Sequence, residues 1–116
     1  MVHGSNESQP EVVVELASFR VAPGVTETDV LNASDVIQHE FLRLQPGFLR
    51  RDLLRAGDEG GRWVDLVEWT DHDSFAAAMA LFSTSAACQA YFRLMADDGD
   101  AGTAMLHLRR VRRYQP

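Results

Sequence analysis

Hydrophobic residues follow different periods along the chain, and their order predicts the order of the secondary structure elements. Residues 11 to 21, EVVVELASFRV, form a short run rich in Val, Leu and Phe, which favours a strand buried on both faces. After Pro23-Gly24, Thr26 can cap a helix whose apolar residues recur every three or four positions. The members of that apolar stripe are Val30, Ala33, Ile37, Phe41 and Leu44.

The middle of the chain has the pattern of a β-hairpin. The sequence Gln45-Pro46-Gly47 is expected to end the first helix, and residues 48 to 56 then read as a second strand. A short Gly-containing loop leads into RWVDLVEWTD, residues 62 to 71, which reads as a third strand. Two such runs joined by a short loop predict an antiparallel pair.

The last part of the chain predicts a broken helix and a final strand. Thr70 followed by Asp73 is a capping-box pattern for a helical region that residues 83 to 85 interrupt. Residues 104 to 112 read as the last strand. The predicted order is βαββαβ, which lays a four-stranded antiparallel sheet on a layer of helices.

The first and third strands carry hydrophobic residues on both faces, whereas the helices can cover only one. On the first strand Val12, Val14 and Leu16 alternate with Val13, Ala17 and Phe19, and on the third strand Val64 and Leu66 alternate with Trp63, Val67 and Trp69. Because an apolar face of that size is rarely left in water, we expect a second copy of the sheet to cover it. This predicts a homodimer through the open sheet face.

Length and composition indicate the number of domains and the class of protein. The chain has 116 residues, and we expect residues 11 to 114 to form a single domain. Residues 1 to 10 are polar and predict a disordered lead-in without the pattern of a secretory signal. No apolar run reaches the roughly 18 residues that a membrane span needs. We therefore expect a cytoplasmic protein without a membrane partner.

Charged residues and the cysteine narrow the chemistry. The formal net charge of −6 argues against nucleic acid as a partner, and the RRVRR cluster at residues 109 to 113 is expected to be a solvated strand end. All 11 basic residues are arginine, which excludes Schiff-base and pyridoxal chemistry on a lysine. Cys88 lies in an apolar stretch and is expected to be a small buried hydrophobic residue.

Five stretches of the sequence resemble the dimeric α+β barrels, which include the antibiotic-biosynthesis monooxygenases. These stretches are ELASFRVAPG, LQPGF, WVDLVEWTD, FAAAM and AYF. The resemblance covers about residues 11 to 114 and implies an α+β, ferredoxin-like βαββαβ fold paired into a dimeric barrel. Members of the group include cofactor-free oxygenases, heme-degrading enzymes, lactone isomerases, polyketide cyclases and proteins without a known reaction, so the resemblance implies the fold more closely than the reaction.

The residues that would hold a heme or a metal are missing from the expected positions. In the heme-degrading members, an asparagine, a tryptophan and a histidine stand where this sequence has Ala17, Ala78 and Cys88. The four histidines, His3, His39, His72 and His107, show no short ligand spacing. We therefore expect no metal site and no cofactor.

The resemblance also indicates a set of site residues. It turns Ala17, and by alternation Glu15 and Phe19, toward the space between the two sheets. Glu15 then lies near Asp65 and His107 where the strand parities agree, and these three are the candidate catalytic residues. Burial raises the pKa of a carboxyl and suits it to act as a base. The side chains expected to contact a flat, hydrophobic, phenol-bearing molecule are Phe19, Trp63, Val67, Trp69 and Met105.

Each of these residues also has a structural interpretation. A buried carboxylate such as Asp65 more often pairs with an arginine, and the two tryptophans are core or dimer-interface residues before they are ligand contacts. His107 can equally be a strand histidine with satisfied hydrogen bonds. The possible partners of Asp65 are Arg50, Arg51 and Arg109.

Two hypotheses of function follow. One is a cofactor-free monooxygenase, or a related isomerase or cyclase, acting on aromatic small molecules. The other is a non-catalytic binding or accessory protein. An open pocket with a perturbed acid or histidine favours the first, and a closed, packed interior favours the second.

Overall fold

The computed structural model describes residues 11–57, 61–97 and 103–116, with side chains in the last range from residue 105 onward. The predicted lead-in at residues 1–10, with His3, lies outside this part of the chain. The observed order matches the predicted βαββαβ order, with the second helical region divided in two. The elements are β1 (Val13–Phe19), α1 (Glu27–Glu40), a 3-10 turn (Leu42–Leu44), β2 (Phe48–Arg55), β3 (Trp63–Trp69), α2 (His72–Phe82), α3 (Ala86–Phe92) and β4 (Thr103–Arg109).

Side-chain caps fix where the helices begin. Thr26 caps α1 in a full capping box with Asp29, as predicted. The predicted cap of α2 was wrong by one residue, because the Asp71 carboxylate accepts from the Ser74 amide at 2.7 Å and Thr70 donates to Asp71 instead. Ser85 caps α3 by accepting from the Cys88 amide, so the predicted interruption separates two helices.

The end of α1 differs from the predicted apolar stripe. The helix ends at Glu40, and the chain tightens into the 3-10 turn Leu42–Leu44. The tighter turn brings Leu42 into the core and leaves Leu44 59% exposed, although the 3.6-residue period had placed Leu44 inside.

The four strands form one antiparallel sheet in the order β2-β3-β1-β4. The register places Val13 opposite Trp69 and Phe19 opposite Trp63, so these large side chains share one face. That face packs against the helices, where Trp69 contacts Phe75 edge to face with ring centroids 6.2 Å apart. The core of the domain therefore lies between this face and the helices.

The other face of the sheet is apolar, as predicted. Its exposed leucines are Leu54, Leu106 and Leu108, and its partly buried residues are Val14, Leu16, Val64 and Leu66. Glu68 is also on this side and is buried among arginines, with Arg110 at 3.1 Å and Arg113 at 3.5 Å. The RRVRR cluster is thus only partly the solvated strand end that was predicted, because two of its arginines fold back onto a buried carboxylate.

In the residues that the structure describes, no single helix is long and apolar enough to span a membrane. Only α2 and α3 taken together, a pair bent by 83°, have the necessary length and apolar character.

Candidate functional site

A cavity of about 270 Å³ lies between the sheet and the helices of the domain. The sequence prediction had placed the site between two sheets, and this was wrong. Phe19 and Trp69 belong to the same face as Glu15 and Asp65, and these aromatic side chains are buried under the helices. The sheet contributes Glu15, Ala17, Arg51, Asp65, Val67 and Met105 to the cavity wall. The rest of the wall is Ile37, Leu42, Met79, Phe82, Tyr91, Phe92 and Met95.

Asp65 is held by two donors from different elements. Arg51 donates from Nε to Asp65 Oδ1 at 2.7 Å, and the Tyr91 hydroxyl donates to Oδ2 at 2.7 Å. Arg51 also donates to the Ser34 carbonyl at 3.2 Å and to the Tyr91 oxygen at 3.3 Å. The predicted pairing of Asp65 with an arginine is therefore seen, with Arg51 as the partner. Together we call Arg51, Asp65 and Tyr91 the clamp.

The clamp also sets the protonation of its members. Burial, and next the nearby Asp65 charge, raises the pKa of the Tyr91 hydroxyl, so Tyr91 remains a neutral donor. The Asp65 carboxylate outweighs desolvation and raises the pKa of Arg51. Both Asp65 oxygens already accept strong hydrogen bonds, so the carboxylate is committed to the clamp.

Glu15 is the buried carboxyl of the cavity wall that the clamp leaves out. It is 7% exposed, and within the described ranges no arginine or histidine forms an ion pair with it. Burial raises the pKa of Glu15; the nearby Trp69 indole N–H opposes this without reaching hydrogen-bond geometry, and the Asp65 charge raises the pKa further. Glu15 therefore has the properties expected of a general base.

The register explains why Arg51 pairs with Asp65 and not with Glu15. Arg51 lies opposite Val67 on β3, and Val67 lies opposite Glu15 on β1, so the apolar Val67 stands between the two charged side chains. Asp65 is one pleat away on the same face, within diagonal reach of both. Glu15 thus lies at the cavity wall without an ion-pair partner among the described residues.

His107 takes a different position from the one predicted. It pairs with Glu15 in register, so the expected neighbourhood of the two residues is confirmed at the level of the backbone. Its ring, however, packs on Phe75 with the centroids 4.5 Å apart, and the residue is exposed and outside the cavity wall. The ring contact with α2 directs the imidazole away from the cavity.

Among the predicted ligand contacts, Val67 and Met105 line the cavity. Phe19, Trp63 and Trp69 do not, because they are core residues covered by other aromatic rings and by Arg55. Sequence reasoning missed Tyr91 as a site residue because its helical spacing resembles that of a core position. A tyrosine in an apolar stripe needs a partner for its hydroxyl, and this is the signal that could have identified it.

The positions compared with the heme-degrading proteins show no ligand set. Ala17 lies in the cavity wall, whereas Ala78 and Cys88 are buried in the core. Burial raises the pKa of the Cys88 thiol, which disfavours the thiolate that binds metals. Among the described residues, no group of three His, Cys, Asp or Glu side chains is placed to hold a metal ion.

Comparisons with known proteins agree with this architecture. The model of the antibiotic biosynthesis monooxygenase family matches residues 12–94. The structure of SnoaB, a cofactor-independent oxygenase from Streptomyces nogalater, has 25% sequence identity and a TM-score of 0.71, and the match covers 91% of this chain and 98% of that one.

Two further relatives show the range of the similarity. Deoxynogalonate monooxygenase from Streptomyces nogalater is 48% identical over 40 residues, a segment that spans only 34% of this chain and 34% of that protein. A heme-degrading protein from Mycobacterium tuberculosis has 18% identity and a TM-score of 0.58 over 92% of this chain and 99% of its own, and this likeness concerns the fold alone.

Proposed function

The chain belongs to the antibiotic biosynthesis monooxygenase family, and we propose that it oxygenates a compact, phenol-bearing aromatic molecule without a cofactor, with Glu15 as the base. The observation that carries the proposal is a buried, unpaired carboxyl in the wall of a largely apolar cavity. An open cavity with a perturbed acid favours an enzyme over a packed, non-catalytic barrel. The names of the relatives, a cofactor-independent oxygenase and a monooxygenase, support the same class of reaction.

The cavity indicates the kind of substrate. Its walls are formed mainly by Met, Phe, Leu, Ile and Val side chains, and the polar groups are confined to the clamp and Glu15. A volume of about 270 Å³ is just below the roughly 300 Å³ at which sites for drug-sized ligands begin. We therefore propose a flat molecule of a few fused rings, in contact with Val67 and Met105.

The proposed reaction needs a base and molecular oxygen, and no external reductant. Glu15 removes a proton from a ring methylene that is conjugated with a carbonyl through the aromatic rings, which leaves an electron-rich carbanion. The carbanion gives an electron to O₂, the two radicals combine to form a C–O bond, and protonation gives a hydroperoxide. Loss of the remaining C–H proton then breaks the O–O bond and releases water. The balance is ring CH₂ plus O₂ to ring C=O plus H₂O.

We propose that the biological unit is a homodimer through the open sheet face. The support is the row of exposed leucines on that face, Leu54, Leu106 and Leu108. A face of this kind fits an obligate interface, which is more apolar than a transient one. The cavity is on the opposite side of the sheet, so each protomer supplies its own site.

A hydroxylated anthrone, a tricyclic ketone with an acidic ring methylene, tests the function. We expect the purified protein to accelerate its oxidation to the quinone in air, with one O₂ consumed for each quinone formed. Glu15→Gln is expected to lower kcat about 10²-fold or more, because the base is lost. Glu40→Gln removes an exposed carboxylate at the end of α1 and serves as the matched control.

Two outcomes would count against the proposal. Acceleration that is equal in Glu15→Gln and the wild type rules out Glu15 as the base. Tight binding of the anthrone without oxygen consumption supports the alternative of a non-catalytic binding protein.

A further inference from the structure

We propose that Asp65 is a positioning residue of the site, a fixed negative charge that Arg51 and Tyr91 hold beside Glu15 and that strengthens Glu15 as a base. This inference rests on the proposed function, in which Glu15 takes the proton. It gives the clamp a part in the reaction without contact with the substrate. The same contacts would otherwise be interpreted as purely structural.

The geometry holds the negative charge of Asp65 in place and puts it nearer to Glu15 than the positive charge of Arg51. Asp65 lies on the same face as Glu15, one pleat along the neighbouring strand, where diagonal side chains are still within reach. Its two oxygens are each held at 2.7 Å, by Arg51 and by Tyr91, so the carboxylate cannot rotate away. Arg51 stands behind Val67, farther across the sheet from Glu15. Glu15 therefore faces the negative end of the ion pair.

The other groups around Glu15 do not cancel the influence of the Asp65 charge on it. On β3 the Trp69 indole N–H is a neutral donor, and on β4 the exposed His107 ring is turned to Phe75. From α3, the Tyr91 hydroxyl donates to Asp65. The residues that α1 and α2 add to the cavity wall are uncharged: Ile37, Met79 and Phe82.

The raised pKa of Glu15 agrees with a negative charge beside it. Burial is the largest cause of its raised pKa, and the charge of Asp65 adds to it in the same direction. A carboxyl with a raised pKa is a stronger base once it has lost its own proton. Removing the charge of Asp65 should therefore weaken Glu15 and also move its ionisation to lower pH.

The test follows the ionisation of Glu15 directly, by the ¹³C shift of its side-chain carboxyl as the pH rises from acid to neutral. Glu15→Gln assigns the signal. In Asp65→Asn we expect the midpoint to move to lower pH, and the acid limb of the pH profile of kcat to move by the same amount. Tyr91→Phe keeps both charges of the clamp and should leave the midpoint unchanged, whereas a merely structural role would make the two variants behave alike.

A second variant covers the case in which Asp65→Asn does not fold with a stranded guanidinium. The double variant Asp65→Asn, Arg51→Gln keeps a neutral pair that can hydrogen-bond, and its midpoint should also fall because the nearer charge is the negative one. An unchanged midpoint in the folded variant overturns the inference and leaves the function of Glu15 intact. If the midpoint falls but turnover does not depend on Glu15, the proposed function is refuted. The electrostatic coupling between Asp65 and Glu15 then still stands.

Discussion

Arg51 and Asp65 form a 2.7 Å ion pair in the wall of a cavity that is otherwise largely apolar, and both side chains are almost completely enclosed. The guanidinium also donates to a carbonyl of α1 and to the Tyr91 hydroxyl, so one arginine ties β2 to β3, α1 and α3. A pair of this kind stabilises the domain only while both partners are present. The same contacts keep the polar end of the cavity in one arrangement.

Breaking this pair is expected to be costly. Asp65→Asn leaves the Arg51 charge buried without a counter-ion, and we expect the free energy of unfolding to fall by about 3–5 kcal/mol. Urea unfolding measures the change. Glu11→Gln removes a carboxylate from an exposed pair with Arg109, away from the open face, and is expected to cost less than about 0.5 kcal/mol. Equal costs for the two variants would show that the clamp adds no special stability.

The raised pKa of Glu15 predicts a stability cost that depends on pH. A folded-state pKa above the unfolded value means that the folded protein binds the proton more tightly, so stability falls as the pH rises from the unfolded to the folded pKa. Glu15→Gln removes this penalty. We expect the variant to have a higher Tm than the wild type at neutral pH, with the gain disappearing in acid. A gain that is constant with pH would contradict a titrating Glu15.

The proposed dimer predicts a different response from each side of the sheet. Leu66→Glu places a charge in the middle of the open face, where the second copy is proposed to pack, and we expect light scattering to show a change from dimer to monomer. Leu81→Glu places the same charge on α2, where the leucine is 50% exposed, and should leave the dimer intact. A wild-type protein that is monomeric at micromolar concentration would contradict the proposal.

Cys88 is expected to react with thiol reagents only after unfolding. The side chain is fully buried in α3, so a reagent cannot reach it in the folded protein. Burial also raises the pKa of the thiol, so little of the reactive thiolate is present. A chromogenic disulfide should modify Cys88 slowly in buffer and rapidly in denaturant. Rapid modification of the native protein would show that α3 opens locally.

Hydrophobic alternation was sufficient to predict the strands but not the face on which the site lies. Both faces of β1 are apolar, so Leu16 and Phe19 were equally good candidates for the side under the helices. The choice depends on tertiary packing, because the larger aromatic rings are those buried against α2 and α3. A pattern with two buried faces contains no local signal for this choice.

The partner of Asp65 could be narrowed to three arginines by sequence, but not to one. A shift of register between Phe48 and Arg50 disturbs the alternation of β2. Because one extra residue exchanges the two faces, the sequence alone does not show whether Arg50 or Arg51 points toward Asp65. The contribution of Tyr91 was hidden in the same way, since the contact joins α3 to a strand 26 residues earlier in the chain.

The position of β1 between β3 and β4 also matters while the chain is being made. In the finished sheet Phe19 pairs with Trp63 on one side and with residue 103 on the other, so the second partner is synthesised well after the first. Non-local pairing of this kind is slow, and an apolar strand edge that waits for its partner can recruit other chains. The nascent protein is therefore most exposed to misassembly in the interval before β4 leaves the ribosome.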